Sequence, residues 1–315
     1  MSAGGPELSV ILATDRFDTI RGTVRHLQAQ TAGGRLELVV VAPPGGLDLD
    51  PAACDGFHSV QTVEADGLDP AGEIAELRAL GVGAATAPVV LFGETHSFPE
   101  PSSLETLIEA HRGPWAAVAQ AIGNGNPQTM TSWTNLYLDY GPWADPCQGG
   151  PLEEVPTHNG SFKRELLLEH RDELPRLLRF SDGVNAALRE RGGRFCLEPR
   201  ARTFHVNVSR PGSWLVERVA AGRAYAGVRC ERWPRRRRIA YVCGSPLIPL
   251  VRGRRVLRDI RRTGRSGELL PRILPVLGVG LVLSAFGEFL GYALGPGRAP
   301  WQVGEMELHR MAHVR

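Results

Sequence analysis

The sequence predicts an α/β fold with a mostly parallel sheet, followed by a C-terminal α-helical region that associates with a membrane. Three observations carry this expectation. Short β-branched apolar runs alternate with helically spaced segments over the first hundred residues, the pattern of a parallel sheet with crossover helices. Basic charge is segregated, because residues 209–265 hold 16 arginines against three acidic residues while residues 1–208 hold 16 basic against 27 acidic ones. Residues 273–294 form an apolar run with a single charge, Glu288, long enough for a hydrocarbon core. At 43% hydrophobic and 22% charged, the composition excludes disordered, collagen-like and coiled-coil chains. Cys54, Cys147, Cys196, Cys230 and Cys243 form no C-x-x-C pair, which argues against a zinc ribbon or a disulfide framework. The N-terminus lacks the basic flank of a secretory leader, so reduced cysteines and a cytosolic catalytic part are expected.

The elements follow in order. SVILAT (9–14) reads as a strand, and Ile20, Val24 and Leu27 give the next stretch helical spacing. LELVVVAPP (36–44) is a buried-type strand closed by prolines, Val60 and Val63 suggest a third, residues 74–85 a helix and residues 87–94 a fourth strand. Ligands of such sheets sit beyond the carboxyl ends of the strands. That groups Thr14–Arg16, Ala42–Gly45 and Glu94–His96 around one crevice. Residues 123–157, rich in Gly, Pro and Trp, read as a long loop whose Trp133, Tyr137, Tyr140 and Trp143 face a substrate. Helical patterning returns over 160–192, followed by the strand RFCLEP.

The last third divides into an Arg-rich amphipathic region, 211–265, and a hydrophobic element with a short tail, 266–315, after a first domain of residues 1–210. The apolar run 239–251 is too short to span and lies at an interface. Clustered arginines imply a polyanionic partner. Their position beside apolar runs favours an anionic membrane over nucleic acid. Residues 273–294 are equally compatible with a spanning helix, a re-entrant hairpin and a surface-lying element.

Four stretches then line up with one family. SVILATDRFDTIRGTVRHLQAQT (9–31), LRALGVGAATAPVVLFGETH (77–96), HNGSFKRELL (158–167) and FSDGVNAALRERGGRFCLEPRARTFHV (180–206) resemble, in order, the motif-bearing segments of the family-2 glycosyltransferases, membrane-associated bacterial enzymes of the GT-A fold. The resemblance implies an inverting hexosyl transfer from a nucleotide-sugar donor to a lipid-linked or membrane-proximal glycan acceptor, at the cytoplasmic face of the inner or plasma membrane. Asp182 matches the family's general base, which takes a proton from the acceptor hydroxyl. Thr14, Asp15 and Arg16 fall where the nucleotide base and ribose lie, Arg78 where an arginine faces the diphosphate, and His158 and Asn159 beneath the donor sugar. Glu94 and His96 replace the two carboxylates of an Asp-x-Asp metal motif, and His205 completes the metal site or touches phosphate. Mn²⁺ or Mg²⁺ is the implied cofactor, with the imidazole favouring Mn²⁺.

The residues also admit plain structural roles: a turn and helix start around Thr14–Asp18, an N-cap at Asp182 and a helix cap at Asn159. The acidic residue that follows the family's second strand is absent from VVVAPPG, so UDP stands only as the default nucleotide. Glycines in the tail are compatible with a homo-oligomer. A nucleotidyltransferase would show a Gly-rich basic loop near residues 9–22, and none is there. The altered metal motif leaves one alternative of a different class, a catalytically inactive membrane scaffold on the same fold.

Overall fold

The computed structural model describes residues 4–45, 49 and 51–315. In chain order these form β1 (Leu8–Ala13), α1 (Phe17–Gln28), β2 (Leu36–Ala42), β3 (Ser59–Glu64), α2 (Ile74–Ala84), β4 (Val89–Phe92), β5 (Ser97–Pro99), α3 (Ser103–Ala110), β6 (Ala117–Asn124) and α4 (Met130–Tyr140). Then come β7 (Gly150–Leu152), β8 (Ser161–Lys163), α5 (Arg164–Leu168), α6 (Leu174–Leu178), α7 (Ser181–Glu190) and β9 (Phe195–His205). The remainder is helical: α8 (Pro211–Arg229), α9 (Arg235–Gly244), α10 (Ile248–Arg262), α11 (Ser266–Leu294) and α12 (Ala299–Leu308). The chain divides into two compact units. The first holds the residues up to Gly123 and Cys147–His205; the second holds Asn124–Pro146 and Val206–Arg315. The boundary expected near residue 210 lies close to the second crossing, but residues 124–146 join the C-terminal helices.

The first unit is built on one sheet with the strand order β3-β2-β1-β4-β8-β6-β9-β5, with β7 added to β9. Strands β3, β2, β1 and β4 are parallel, with Leu8 opposite Leu36 on one side and Val89 on the other. The short β8 runs antiparallel to β4 and β6, and β5 and β7 run antiparallel to β9. All of β2 is buried, as is nearly all of β1, because helices cover a parallel sheet and continuous Val/Ile/Leu runs satisfy it. Helix α1 turns Phe17, Ile20, Val24 and Leu27 into the core, with Asp18 in its first turn and Arg25 and His26 in its last, matching the helix dipole. At the amino-terminal edge of the sheet the buried Glu37 accepts bonds from Ser9 Oγ (2.5 Å), Gln61 Nε2 (2.5 Å), Thr86 N (2.7 Å) and Thr86 Oγ1 (2.8 Å). One carboxylate thus ties β1, β2, β3 and the approach to β4. Burial pushes its pKa up, but these bonds outweigh burial and hold it below the ordinary value.

His111, at the end of α3, is buried with Nε2 2.9 Å from Ser161 Oγ. Ser161 Oγ itself donates to Val118 O at 3.0 Å, so the imidazole is the donor. Burial, reinforced by the charge of Lys163, pushes its pKa down to about 3. The unfolded chain therefore binds the extra proton first. His111 contributes fully above pH 6.5, and that contribution drains away as pH falls from 6.5 to about 3, on the order of 5 kcal/mol in all. Urea unfolding across this range should show the slope, and His111→Phe should flatten it.

In the second unit α11 packs against α8, α10, α4 and α9. The α8–α11 contact is backbone to backbone. A Cβ on Gly291 would lie 2.6 Å from Arg223 O, and one on Gly222 would lie 3.1 Å from Glu288 N and also meet Ser284 O. Residues 123–157 are not one loop, since α4 occupies their middle. Its start is capped by Thr129, whose hydroxyl accepts from Ser132 N at 3.1 Å. Trp133, Leu136, Tyr137 and Tyr140 recur at helical spacing, and Trp133, Tyr137, Tyr140 and Trp143 are buried. The expected substrate-facing aromatics are core residues of this unit. The apolar run 239–251 is likewise divided, among the end of α9, a 3₁₀ turn at Ser245–Leu247 and the start of α10.

Candidate functional site

Where β4 ends, the chain turns through Gly93 into Glu94, Thr95 and His96, all three of them buried. This is the carboxyl end of the parallel strands, where the sheet's packing leaves room for chemistry. Thr23 of α1 donates to Glu94 O at 2.9 Å and holds the turn against the helix. The Glu94 carboxylate is fully engaged. His158 Nδ1 lies 2.8 Å from Oε1, Ser97 Oγ donates to Oε2 at 2.6 Å, and Asn159 Nδ2 also donates to Oε2. His205, the last residue of β9, places Nε2 3.7 Å from Oε2 and 3.0 Å from His96 Nε2. Thr95 Oγ1 orients the His96 ring through Nδ1 at 3.0 Å. Burial alone would raise the Glu94 pKa. The charge of His205, the bond from His158 and the charge of His96 overcome it and hold the carboxyl well below its ordinary range.

Arg78, buried on α2, reaches the same cluster. Its Nη2 is 3.2 Å from His158 Nδ1, and its guanidinium lies 5.7 Å above the Phe92 ring. A guanidinium, two imidazoles beside a carboxylate and a third imidazole at the edge thus share one continuous network. His158 has a side chain 35% exposed, against 2% for Glu94, so the network meets solvent at His158.

The loop before β8 supplies His158 and Asn159, and its shape is enforced locally. Asn159 adopts φ 59°, the left-handed region that asparagine tolerates better than most residues. Its backbone N donates to Phe92 O at 2.8 Å and its carbonyl accepts from Gln120 Nε2 at 2.9 Å. Gly160 follows because a Cβ there would press into Pro156 O and lie 2.9 Å from Val155 Cγ1. Asn159 is therefore no helix cap, since its amide is spent on Glu94 and on Ser97 Oγ at 3.0 Å. Behind the carboxylate a water-sized cavity is lined by Gln120, Ser97 and Thr203 among others. The buried Thr203 hydroxyl has no protein partner, and a bridging water would satisfy it.

Asp182 sits in the first turn of α7, one residue inside the helix rather than at its N-cap, which is Phe180. The turn is docked onto the irregular run, residues 154–157, that leads to His158. Ser181 Oγ accepts from Thr157 N at 3.0 Å, and Asn185 brackets Val155 through bonds of 2.9 and 2.8 Å. Glu154 lies close enough that burial and the Asp182 charge together raise its pKa. Thr14, Asp15 and Arg16 follow β1 as a local turn. Thr14 Oγ1 donates to Arg16 O at 2.8 Å, and Asp15 accepts from Thr19 Oγ1 at 2.8 Å.

Of the residues singled out from sequence, Arg78, Glu94, His96, His158, Asn159 and His205 thus form one bonded cluster. Asp182 is tied to it through the Ser181–Thr157 contact, and Thr14, Asp15 and Arg16 make local turn bonds at the neighbouring strand end. Sequence reasoning missed Ser97, which completes the Glu94 shell, and Thr157 and Glu154 near Asp182. No local pattern marks Ser97, a single serine at the start of β5.

The donor chemistry of the cluster fits a divalent cation. Carboxylate and imidazole atoms of Glu94, His96 and His205 all lie within 4.8 Å of one another, and all three residues are buried. Separations of 3.0 and 3.7 Å between donors are those of ligands sharing one ion at about 2.1 Å. A mixed nitrogen and oxygen set suits Mn²⁺ better than Mg²⁺.

No protein-family model matches the chain, and no curated protein does. Among solved structures, the crystal structure of S. aureus TarS is similar to 90% of this chain and 54% of its own, at 13% identity and a TM-score of 0.42. The chain spans about half the length of that structure.

Proposed function

We propose that this protein is an inverting glycosyltransferase that moves a sugar from a nucleotide-sugar donor to a lipid-linked or membrane-proximal acceptor at a cytoplasmic membrane face. The observation that carries the reading is the Glu94–His96–His205 cluster at the carboxyl end of β4, joined through His158 to the buried guanidinium of Arg78. Anionic phosphates are the ligands that a cation held by a carboxylate and backed by arginine recognises. A divalent ion held by Glu94, His96 and His205 would neutralise charge on the departing nucleoside diphosphate. Arg78 and His158 add donors on the same side.

Asp182 is the assigned base. Its carboxylate removes the proton from the acceptor hydroxyl as that oxygen attacks the anomeric carbon, and the bond from that carbon to the diphosphate oxygen breaks. Asp182 stands in the first turn of α7, beside the loop that supplies His158. UDP is the default nucleotide. The test is release of nucleotide from UDP-, GDP- and dTDP-sugars in the presence of membrane lipid extract, with Mn²⁺, Mg²⁺ or EDTA. Release from one donor, suppressed by EDTA, is expected.

One observation favours a second reading, an inactive scaffold. Both carboxylate oxygens of Glu94 are already satisfied by protein donors, as a purely structural network requires. Failure to bind any nucleotide-sugar in the same panel would establish that reading.

A further inference from the structure

Helix α11 has two apolar faces. One, through Leu269, Ile273, Leu277, Leu281, Ala285 and Tyr292, is buried within the second unit. The other is exposed, with Leu274, Val279, Val282, Phe286, Phe289 and Leu294 between 38% and 69% accessible. Val279, Val282, Phe286 and Phe289 succeed one another at the three- and four-residue steps of a single helix side. No charge interrupts this stripe, since Glu288 is buried on Arg252 at 3.0 Å. It begins just after Arg272 and ends before Arg298, whose guanidinium lies 5.2 Å from the Trp301 ring centre. The first unit exposes only Leu80 and Phe204 among the described large hydrophobics, so the apolar surface is a property of the second unit. Contiguous exposed apolar surface of this kind marks an interaction site.

Helix α10, packed on α11, tells what the partner is. Its exposed side opens with Leu250 and Val251 and continues as Arg254, Arg255, Arg258, Arg261 and Arg262, while its one acidic residue, Asp259, is buried. An occupant must therefore offer both an apolar interior and negative charge. An anionic lipid bilayer offers both. A symmetric second copy would set these arginines against themselves.

Helix α11, at 29 residues and a mean hydropathy of 2.0, is the single helix among the described residues long and apolar enough to cross a membrane, so a crossing has to be weighed. The helix beside it argues against one. A Cβ on Gly287 would lie 3.0 Å from Arg223 N, so the two backbones touch. Along the same contact α8 carries Glu217, Arg218 and Arg223, and Arg223 Nε donates to Gly295 O at 3.1 Å. A crossing α11 would carry those charges into hydrocarbon, an environment that excludes them.

We propose that the second unit docks on an anionic lipid surface, with α11 lying in the interfacial plane, its exposed stripe inserted and the α10 arginines at the headgroup phosphates. This deepens the membrane-proximal part of the proposed function and rests on that reading for the membrane face, but it uses no residue of the Glu94 cluster, so vesicle binding and donor binding can fail independently.

The full chain should sediment with phosphatidylcholine vesicles that contain phosphatidylglycerol and remain in solution with phosphatidylcholine alone. Val282→Asp should abolish sedimentation. Arg254→Gln, Arg255→Gln and Arg261→Gln replace exposed side chains, and each should lower the partition coefficient about fivefold. Topology is read by an impermeant maleimide added outside the vesicles to Gly267→Cys or Arg298→Cys, with labelled peptides identified by mass spectrometry. Both ends should label. Labelling of one end alone would overturn the proposal in favour of a spanning helix. Sedimentation unchanged by Val282→Asp and by the arginine set would overturn it too. So would failure to bind vesicles together with a dimer that Val282→Asp dissociates, which assigns the stripe to a second copy.

Discussion

Asp182→Asn is expected to lower the rate of sugar transfer by about a hundredfold to ten-thousandfold, the usual contribution of a positioned general base, while leaving the donor's dissociation constant within a factor of about three. The split follows from position. Asp182 lies in the first turn of α7, held next to the His158 loop by Ser181 and Asn185, and the amide is nearly isosteric. It keeps the turn while losing the basic oxygen. Single-turnover assays with donor at saturation measure the rate, and calorimetry measures the binding. A drop in affinity with an unchanged transfer rate would place Asp182 among the donor ligands instead.

The largest expected stability effect lies far from this chemistry. Glu217→Ala should lower the unfolding free energy by about 3–5 kcal/mol, the cost of breaking a buried ion pair from one side. Glu217 has a side chain 5% exposed and accepts from Arg310 Nη1 at 2.6 Å, with Arg218, itself 3% exposed, at 3.3 Å. Asn135 Nδ2 donates to it at 3.1 Å. Arg218 retains a bidentate pair with Asp139 at 2.9 and 2.8 Å, but the Arg310 contact is lost and its charge is left less compensated. Urea unfolding followed by intrinsic tryptophan fluorescence, to which Trp214 beside Asn135 at 3.2 Å contributes, reads the change. Glu217→Gln should cost less, because the Asn135 bond can be kept.

The parallel strands were legible because β1, β2 and β4 are continuous Val/Leu/Ile runs, and nothing but burial on both faces calls for that pattern. Helix α4 was hidden. Its aromatic residues have helical spacing, but Pro127 precedes it and Gly141–Pro142 follow it, and those flanks dominated the reading. Helix α11 shows a limit of a different kind. An all-round apolar sequence does not reveal that one side faces α8 while the other is exposed, because that division is made by contacts distant in sequence. The same holds at the site. Glu94, His96 and His205 were singled out through the resemblance to the family's motifs, and the fold brings them together although His96 and His205 are 109 residues apart. The left-handed turn at Asn159 that brings its amide onto Glu94 depends on Gly160 and on Gln120, and no local pattern announces it. Ser97 was invisible for the simplest reason, as one serine in a strand carries no chemical signature.

The central claim is that the Glu94 cluster holds a divalent cation and, with Arg78, the diphosphate of a nucleotide-sugar. Calorimetric titration of wild type and Glu94→Gln with UDP-, GDP- and dTDP-sugars, each with Mn²⁺ and again with EDTA, tests it most directly. The account predicts that wild type binds one donor class in Mn²⁺, that EDTA weakens this binding at least tenfold, and that Glu94→Gln binds as weakly as wild type does in EDTA. Donor binding that ignores both EDTA and Glu94→Gln, or no binding by wild type under any condition, would contradict it.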